Sequence, residues 1–441
     1  MKNLKVSISL IFILVISSQA AVFSKQPNII NKKNIFEGIT TKIVYPSGQE
    51  KDGMYKQISY FDKLKITKKL EYYYTKKDAD KTGIKSLIVF YNEYGKKIES
   101  NFSYIKAFAD KEGYDKQIIA YDESGRNTKT EYRYPKYQSD IKGYDSKIVY
   151  YDDSERSNKT EYFFTENYSK KTGYKKQTLF INKNGRKDRS EYINTEERSN
   201  ETGDTKKLVY YDGNEREIKV EHFFIKEHSD KIGFYKEATY FDKNEWKTKS
   251  EYFYNKKKSK KNGYNRNMLY FDKNDKIMKS EFFYTEAYSK KNGYNIKLIH
   301  FDMGGKKIKD EFSYTKIHTE KEGYTKSVTY FNKKGIRNKI QYAYSEAFST
   351  KNGYRTGSVY YDQNNRKNKS EYFCTKNFAN EKGYNRIIVY NDESGRKIKS
   401  EFFYTRSFSK KNKNDRYIIY YDESGGEIRF EYFRGKKLVK I

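Results

Sequence analysis

GYNRNMLYFDKNDKIMKSEFFYTEAYSKKN, residues 263–292, is one copy of a unit that recurs every 30 residues. Adding 30 checks the register: Glu71, Glu131, Glu161, Glu251, Glu281, Glu371 and Glu431 share one position, which only Asn101 and Gln341 break. Nine residues earlier an Asp or Asn recurs in the same way, from Asp62 to Asp422. Thirteen copies follow one another without an insertion. Such a period signals stacked supersecondary units, each leaning on its neighbours, so the 441 residues read as one array.

Numbering from the glycine as position 0, Tyr264, Met268 and Tyr270 follow a two-residue period, which is that of a strand. Next comes Asp-x-x-Gly, as in Asp122–Gly125, Asn182–Gly185 and Asp392–Gly395. An Asp or Asn opens a type I turn by accepting a backbone bond, and Gly supplies the left-handed residue of a hairpin bulge. Glu155, Glu215 and Glu245 replace that Gly, so their turns must differ or carry strain. The second strand is KSEFFY, residues 279–284, and the two make a β-hairpin.

The connection TEAYSKKNG, residues 285–293, has helix punctuation at both ends. Thr, Ser or Asn stands at the N-cap in nine of twelve connections, and Gly closes all but the one ending at Lys413. A two-turn helix fits, too short to stand alone and so docked on the sheet. One position past a frequent Phe or Tyr, every connection has Ala, Ser or Thr (Ala79, Ser169, Ser289, Ser409), which implies close approach to a neighbour.

Pairing the Asp with the residue just after the bulge sets a trial register. Positions 1, 3, 5 and 7 then share a face with 15, 17, 19 and 21. The cation at position 3 (Lys116, Lys176, Lys236, Arg266) lies opposite the ring at position 19 (Tyr132, Tyr162, Tyr252, Phe282). A cation over a ring is worth roughly 0.5–1 kcal/mol when exposed. These eight residues are the candidate ligand-binding set. The other face would hold the Glu, the Lys at position 16, and rings such as Phe271 and Phe283.

The expected fold is therefore mainly β: about thirteen 30-residue β-hairpin units with short helical turns between them, in an open solenoid or extended sheet. A continuous meander at about 4.8 Å per strand would be a rod of roughly 125 Å. A closed propeller needs about four strands per blade, into which thirteen units of two strands do not divide evenly. The expected layout is residues 1–20 signal peptide, 21–40 linker or N-terminal cap, 41–434 tandem repeats, and 435–441 C-terminal cap. The signal reading rests on Lys2 and Lys5, the apolar run from Val6 to Ile16, and Ser18-Gln19-Ala20 for cleavage. No second apolar stretch follows, so no transmembrane anchor is expected after cleavage.

Composition narrows the function classes. The formal charge is +32, with 91 Lys and Arg against 59 Asp and Glu, both signs interleaved in every repeat. A chain this polar would often be disordered, but 48 Tyr and 29 Phe at fixed positions give it ring area to bury. Cys374, the single cysteine, sits where other copies have Tyr, so no disulfide framework exists.

The string YNDESGRKIKSEFFYT, residues 390–405, resembles the hairpins of MORN-type repeat proteins and their bacterial variants. That resemblance implies strand pairs stacked in a row. The Y-F-D-x-x-G portion is also similar to the aromatic hairpins of choline-binding and glucan-binding repeats on secreted Gram-positive proteins. Carried over, it implies Tyr60, Tyr210, Tyr240, Phe271 and Tyr360 as walls of inter-repeat sites. The period here is longer than in those families, and Trp246 is the only tryptophan.

Sharper chemistry finds little support in the sequence. The Asp/Asn ladder offers too few oxygens per repeat for a calcium column and reads as turn capping. The Glu ladder repeats too often for a catalytic carboxylate pair and reads as cross-strand pairing with Lys or Gln at position 4. His222, His228, His300 and His318 lack metal-ligand spacing, and no phosphate-cradling glycine loop occurs. No cofactor is expected, and no enzyme. The Lys-and-Tyr surface points to a secreted repeat protein binding anionic or neutral polysaccharide of the cell envelope or host surface, with avidity from multiplicity. The alternative is a structural scaffold or protein–protein interaction array in the periplasm or envelope. Secretion argues against nucleic acid as the partner.

Overall fold

The computed structural model describes residues 28–34, 39–45 and 53–439. They fall into two compact units, divided after Arg156. In the first, strands from Asn28–Asn34 to Tyr144–Tyr151 pair antiparallel, each with the next in the chain. In the second, strands from Ser157–Phe164 to Lys437–Val439 do the same. Among the described residues neither unit pairs its first strand with its last, so each sheet is open. The fold is mainly β, built of hairpins joined by short helices.

The signal reading of residues 1–20 lies outside the described residues. Within the stretch read as linker or N-terminal cap, Asn28–Asn34 forms a strand against Ile39–Tyr45. Near the other end, Lys437–Val439 pairs with Tyr432–Arg434.

One repeat shows why the sequence adopts this unit. Tyr264–Phe271 and Ile277–Tyr284 form the hairpin, and Glu286–Asn292 the helix. Asp272 accepts the Lys276 amide on its side chain (2.9 Å), and its backbone carbonyl accepts the Asp275 amide (3.1 Å). The left-handed turn residue is Asp275 here, with φ 60°; Glu155, Glu215 and Glu245 adopt the same conformation at φ 56°, 61° and 63°. The turns lacking glycine thus keep one geometry and carry its strain, about 1–2 kcal/mol for a non-glycine residue. Thr285 caps the helix, its Oγ1 accepting the Tyr288 amide. Nine described helices have such a cap, and those led by Ile105, Pro135 and Ile225 have none.

Gly263 closes the preceding helix at φ 83°. It meets two demands at once, because a Cβ there would overlap the Tyr288 ring, which sits on it. Lys413, where glycine is missing, still takes φ 58°.

The trial register fails by one residue through the middle of each hairpin. Phe271 pairs with Ile277 as expected, but then Tyr270 pairs with Lys279, leaving Met278 as a second bulge. Another bulge at Asn265 restores the expected Tyr264–Tyr284 pair. Because side chains alternate with period two, this one-residue slip moves a whole row to the opposite face. Positions 3, 5 and 7 therefore share a face with 16, 18 and 20. Positions 1, 4 and 6 share the other with 17, 19 and 21.

The second of these faces is the core. Its ring at position 1 touches the ring at 19 of the same hairpin and the ring at 21 of the one before: Tyr264 lies 5.1 Å from Phe282 and 5.1 Å from Tyr254, both edge-on. The helix docks here, stacking Tyr288 on Tyr284 at 4.7 Å. Ala79, Ser169 and Ser289, expected at close approach, are buried. The most enclosed row carries small or β-branched residues such as Val209, Thr130, Ser190 and Ser370. Cys374 is buried on this face beside Ala379 and Ile387, and burial pushes its thiol up to about 11.

Candidate functional site

The helices lie over the core face and leave the other face of each sheet to its own side chains. That uncovered face consists of three parallel rows, set by the observed pairing within and between hairpins. The first alternates a ring at position 7 with a cation at position 16. In the second, an apolar residue at 5 alternates with Glu at 18. The third has a cation at 3 and a ring at 20 in most copies, with breaks such as Ser103, Arg133 and Ile296.

The Glu row explains how such a charged surface folds. Glu221 is 3% exposed, yet it accepts from Lys219 at 2.6 Å, Lys236 at 2.8 Å and the Tyr210 hydroxyl at 3.2 Å. Glu251 and Glu371 repeat the pattern, bound at 2.5 Å by Arg266 and Arg386 and at 2.9 and 2.7 Å by Tyr240 and Tyr360. A buried carboxylate is tolerable only when paired and hydrogen-bonded, and each of these takes one cation from the next hairpin. At Glu311 burial opposes ionisation, but the ammoniums of Lys309 and Lys326 outweigh it and hold the carboxyl at about 2. The partners of the Glu are thus positions 16, 7 and the next repeat's 3. Position 4, the partner expected from the sequence, lies on the other face.

Cations and rings interleave along the first row. Lys249 stands 3.6 Å from the Tyr240 ring, Lys279 3.7 Å from Tyr270, Lys369 4.0 Å from Tyr360, and Lys399 4.2 Å from Tyr390. Lys219 lies between two rings, 4.8 Å from Tyr210 and 5.3 Å from Tyr240. Burial, then the bond to Glu281, pushes the Tyr270 hydroxyl up to about 12, so it stays a donor to that carboxylate.

The eight candidate residues are divided between the two faces. Tyr132, Tyr162, Tyr252 and Phe282 belong to the core face. Tyr132 packs edge-on against Tyr114 at 4.9 Å and Tyr252 against Phe234 at 5.1 Å. Lys116, Lys176, Lys236 and Arg266 are on the uncovered face, opposite position 20. Their rings are therefore Phe163 for Lys176 (5.0 Å), Phe223 and Phe253 for Lys236 (5.1 Å each), and Phe283 for Arg266 (4.4 Å). Lys116 has Arg133 and Ser103 opposite it and lines an open hollow with Asp115 and Glu131. Cation–ring contact is present as expected, but with different rings.

The residues missed were the rings and cations of the first row taken together. Tyr60, Tyr210, Tyr240 and Tyr360, implied through the resemblance, do lie in it. The Asp/Asn ladder caps turns throughout: Asp122, Asp272 and Asp392 each accept two turn amides at 2.8–2.9 Å. Bonds from the Lys276 amide hold the Asp272 carboxyl below its usual range. His228 stacks on Phe224 and His318 on Tyr314. His222 bonds Asp204 at 3.0 Å and His300 bonds Glu311 at 3.0 Å. Among the described residues no three His, Cys, Asp or Glu stand close enough to hold a metal. No described helix is long and apolar enough to cross a membrane.

No family model matches the chain, and no curated protein does. Among solved structures, it is aligned with the Photorhabdus luminescens Tc holotoxin pore carrying the TccC3-D651A mutation at 10% identity, covering 89% of this chain and 21% of that one, TM-score 0.15. The TcdB2-TccC3 structure gives 11% identity over 91% of this chain and 22% of that one, TM-score 0.13. A DUF1329 family protein from Desulfovibrio piger gives 14% identity over 45% and 71%, TM-score 0.10. The chain thus spans about a fifth of the first two, and scores this low carry no likeness of fold.

Proposed function

We propose that the chain is a non-enzymatic scaffold that engages an extended partner along the uncovered face of its sheets. The observation that carries this reading is the repetition of one surface, with rings and cations in fixed rows and no copy singled out. Each Glu described above already holds two cations or a cation and a tyrosine hydroxyl, which suits a structural part better than acid–base work. The signal reading of residues 1–20 adds that the scaffold acts outside the cytoplasm, at the envelope or beyond it. Polysaccharide of the envelope or host surface is the finer form of the proposal, supported by the Tyr and Lys contacts of the first row.

Removing hairpins one repeat at a time, with retention on an isolated envelope surface as the readout, tests this. A polymer partner should be lost gradually, as avidity falls with the number of equivalent sites. Loss of all retention at one boundary would instead locate a discrete protein-docking site, which is still a scaffold. Retention unchanged by Lys→Gln substitutions across the uncovered face would sink the proposal.

A further inference from the structure

We infer that the ring-and-cation row of the second unit is a track for a linear acidic polysaccharide whose disaccharide repeat matches one hairpin, an inference that rests on the uncovered face being the partner-binding surface. From Lys159 to Arg429 the row alternates cation and ring without a break, counting His300 among the rings. In the first unit Glu99 and Ala120 interrupt the same row.

Spacing selects the class of partner. Strands stand about 4.8 Å apart, so like groups recur about every 9.6 Å along the row. That is close to the rise of one disaccharide in an extended glycan, so a polymer with one acid group per disaccharide would meet a lysine and a ring at each step. Successive phosphates of an extended nucleic-acid strand or of polyphosphate stand closer together and fall out of step.

Charge is complementary as well. Across the three rows of this unit ten cations at position 16 and seven at position 3 face nine Glu, so the rows keep an excess of positive charge after every carboxylate is paired. A lysine ammonium has three donors, and one that bonds a Glu and lies beside a ring can still donate outward. The apolar face of a sugar can rest on the neighbouring tyrosine.

The test is binding of the full chain to size-defined hyaluronan oligosaccharides, which carry one carboxylate per disaccharide, with neutral dextran oligosaccharides and polyphosphate as comparisons. Hyaluronan affinity should climb with each added disaccharide and exceed that for dextran by about tenfold or more at equal length. The triple variant Lys219→Gln, Lys249→Gln, Lys279→Gln should lower it by about tenfold. Removing the same charge from a helix, in Lys256→Gln, Lys260→Gln, Lys261→Gln, should change it less than about twofold, since exposed charges away from the track act only through a screened field. Tyr240→Leu with Tyr270→Leu, which leaves every charge in place, should weaken it too, and Lys→Arg at the three track positions should restore binding lost in the Gln variant.

Equal losses in the two triple variants, or polyphosphate binding as tightly as hyaluronan, would overturn the track in favour of diffuse charge. Absence of any acidic-glycan binding while envelope retention still depends on the uncovered face would overturn the track and leave the scaffold standing.

Discussion

Gly383 and Gly395 lie in one repeat with nearly identical left-handed backbones, φ 85° and 84°. They differ in what surrounds them: a Cβ on Gly395 would meet nothing within 4 Å, whereas one on Gly383 would overlap the Phe408 ring. Gly395→Ala should cost about 1–2 kcal/mol for the left-handed backbone. Stiffening of the unfolded chain returns about 0.4–1 kcal/mol, leaving a loss near 1. Gly383→Ala carries that loss plus the displacement of a packed ring, typically about 1–3 kcal/mol, for a total of about 2–4. Moving Phe408 also disturbs its stack on Tyr404 at 6.0 Å. Urea unfolding gives the size of each loss, and hydrogen exchange of peptides within residues 384–412 gives its place. Phe408→Ala made in the Gly383→Ala background should couple favourably by about 1 kcal/mol or more, since the clash is then gone. Equal losses for the two glycine variants, with no coupling to Phe408, would refute the claim that the helix-closing glycine is the seat of the next helix.

Further outcomes follow from other parts of the repeat. The Glu311 carboxyl titrates near 2 in the folded chain against an ordinary 4.5, so the stability it adds is full above about pH 4.5 and is lost as pH falls towards 2. Screening at this sheet surface reduces the loss to about 1–2 kcal/mol, and Glu311→Gln should remove that acid dependence from urea midpoints measured between pH 2 and 7. Thr285→Ala should cost about 1 kcal/mol by removing the helix cap, while Ile225→Thr, at one of the uncapped helices, should gain a few tenths to 1 kcal/mol in thermal unfolding. Glu245→Gly should stabilise by about 0.5–1 kcal/mol, because φ 63° costs a glutamate what it does not cost a glycine. Cys374, buried and with its thiol pushed up to about 11, should resist iodoacetamide at pH 8 until urea unfolds the chain.

Much of the fold was legible because local chemistry repeats where local structure does. Asp122 with Gly125, and Thr285 with Gly293, mark turn and helix through bonds made within a few residues, which a sequence displays directly. The two bulges were not legible because nothing at their positions marks them. Met278 and Asn265 are neither glycine nor proline, so the alternating pattern reads straight through both. Other copies place isoleucine at the bulge near the turn: Ile98, Ile218, Ile308 and Ile398 are 39–44% exposed there. An apolar residue in an alternating run looks inward-facing. A bulged one is outside the alternation and can point to solvent.

That single position decides how the candidate site is read. With the slip ignored, tyrosines at position 19 and cations at position 3 fall on one face and look like a binding ladder. Once it is included, Tyr132 and Tyr252 go under the helices as packing, while Tyr240 and Tyr270 come up beside Lys249 and Lys279. Both sets of rings recur at the same period and in nearly every copy, so composition and period cannot separate them. What separates them is the carboxylate between the rows: Glu251 can be buried only where Tyr240 and Arg266 both reach it, at 2.9 and 2.5 Å. A register that put Arg266 opposite Phe282 would leave that carboxylate buried without its cation, at a cost of several kcal/mol. The Glu ladder, bland as chemistry, is therefore what fixes which tyrosines a partner can touch.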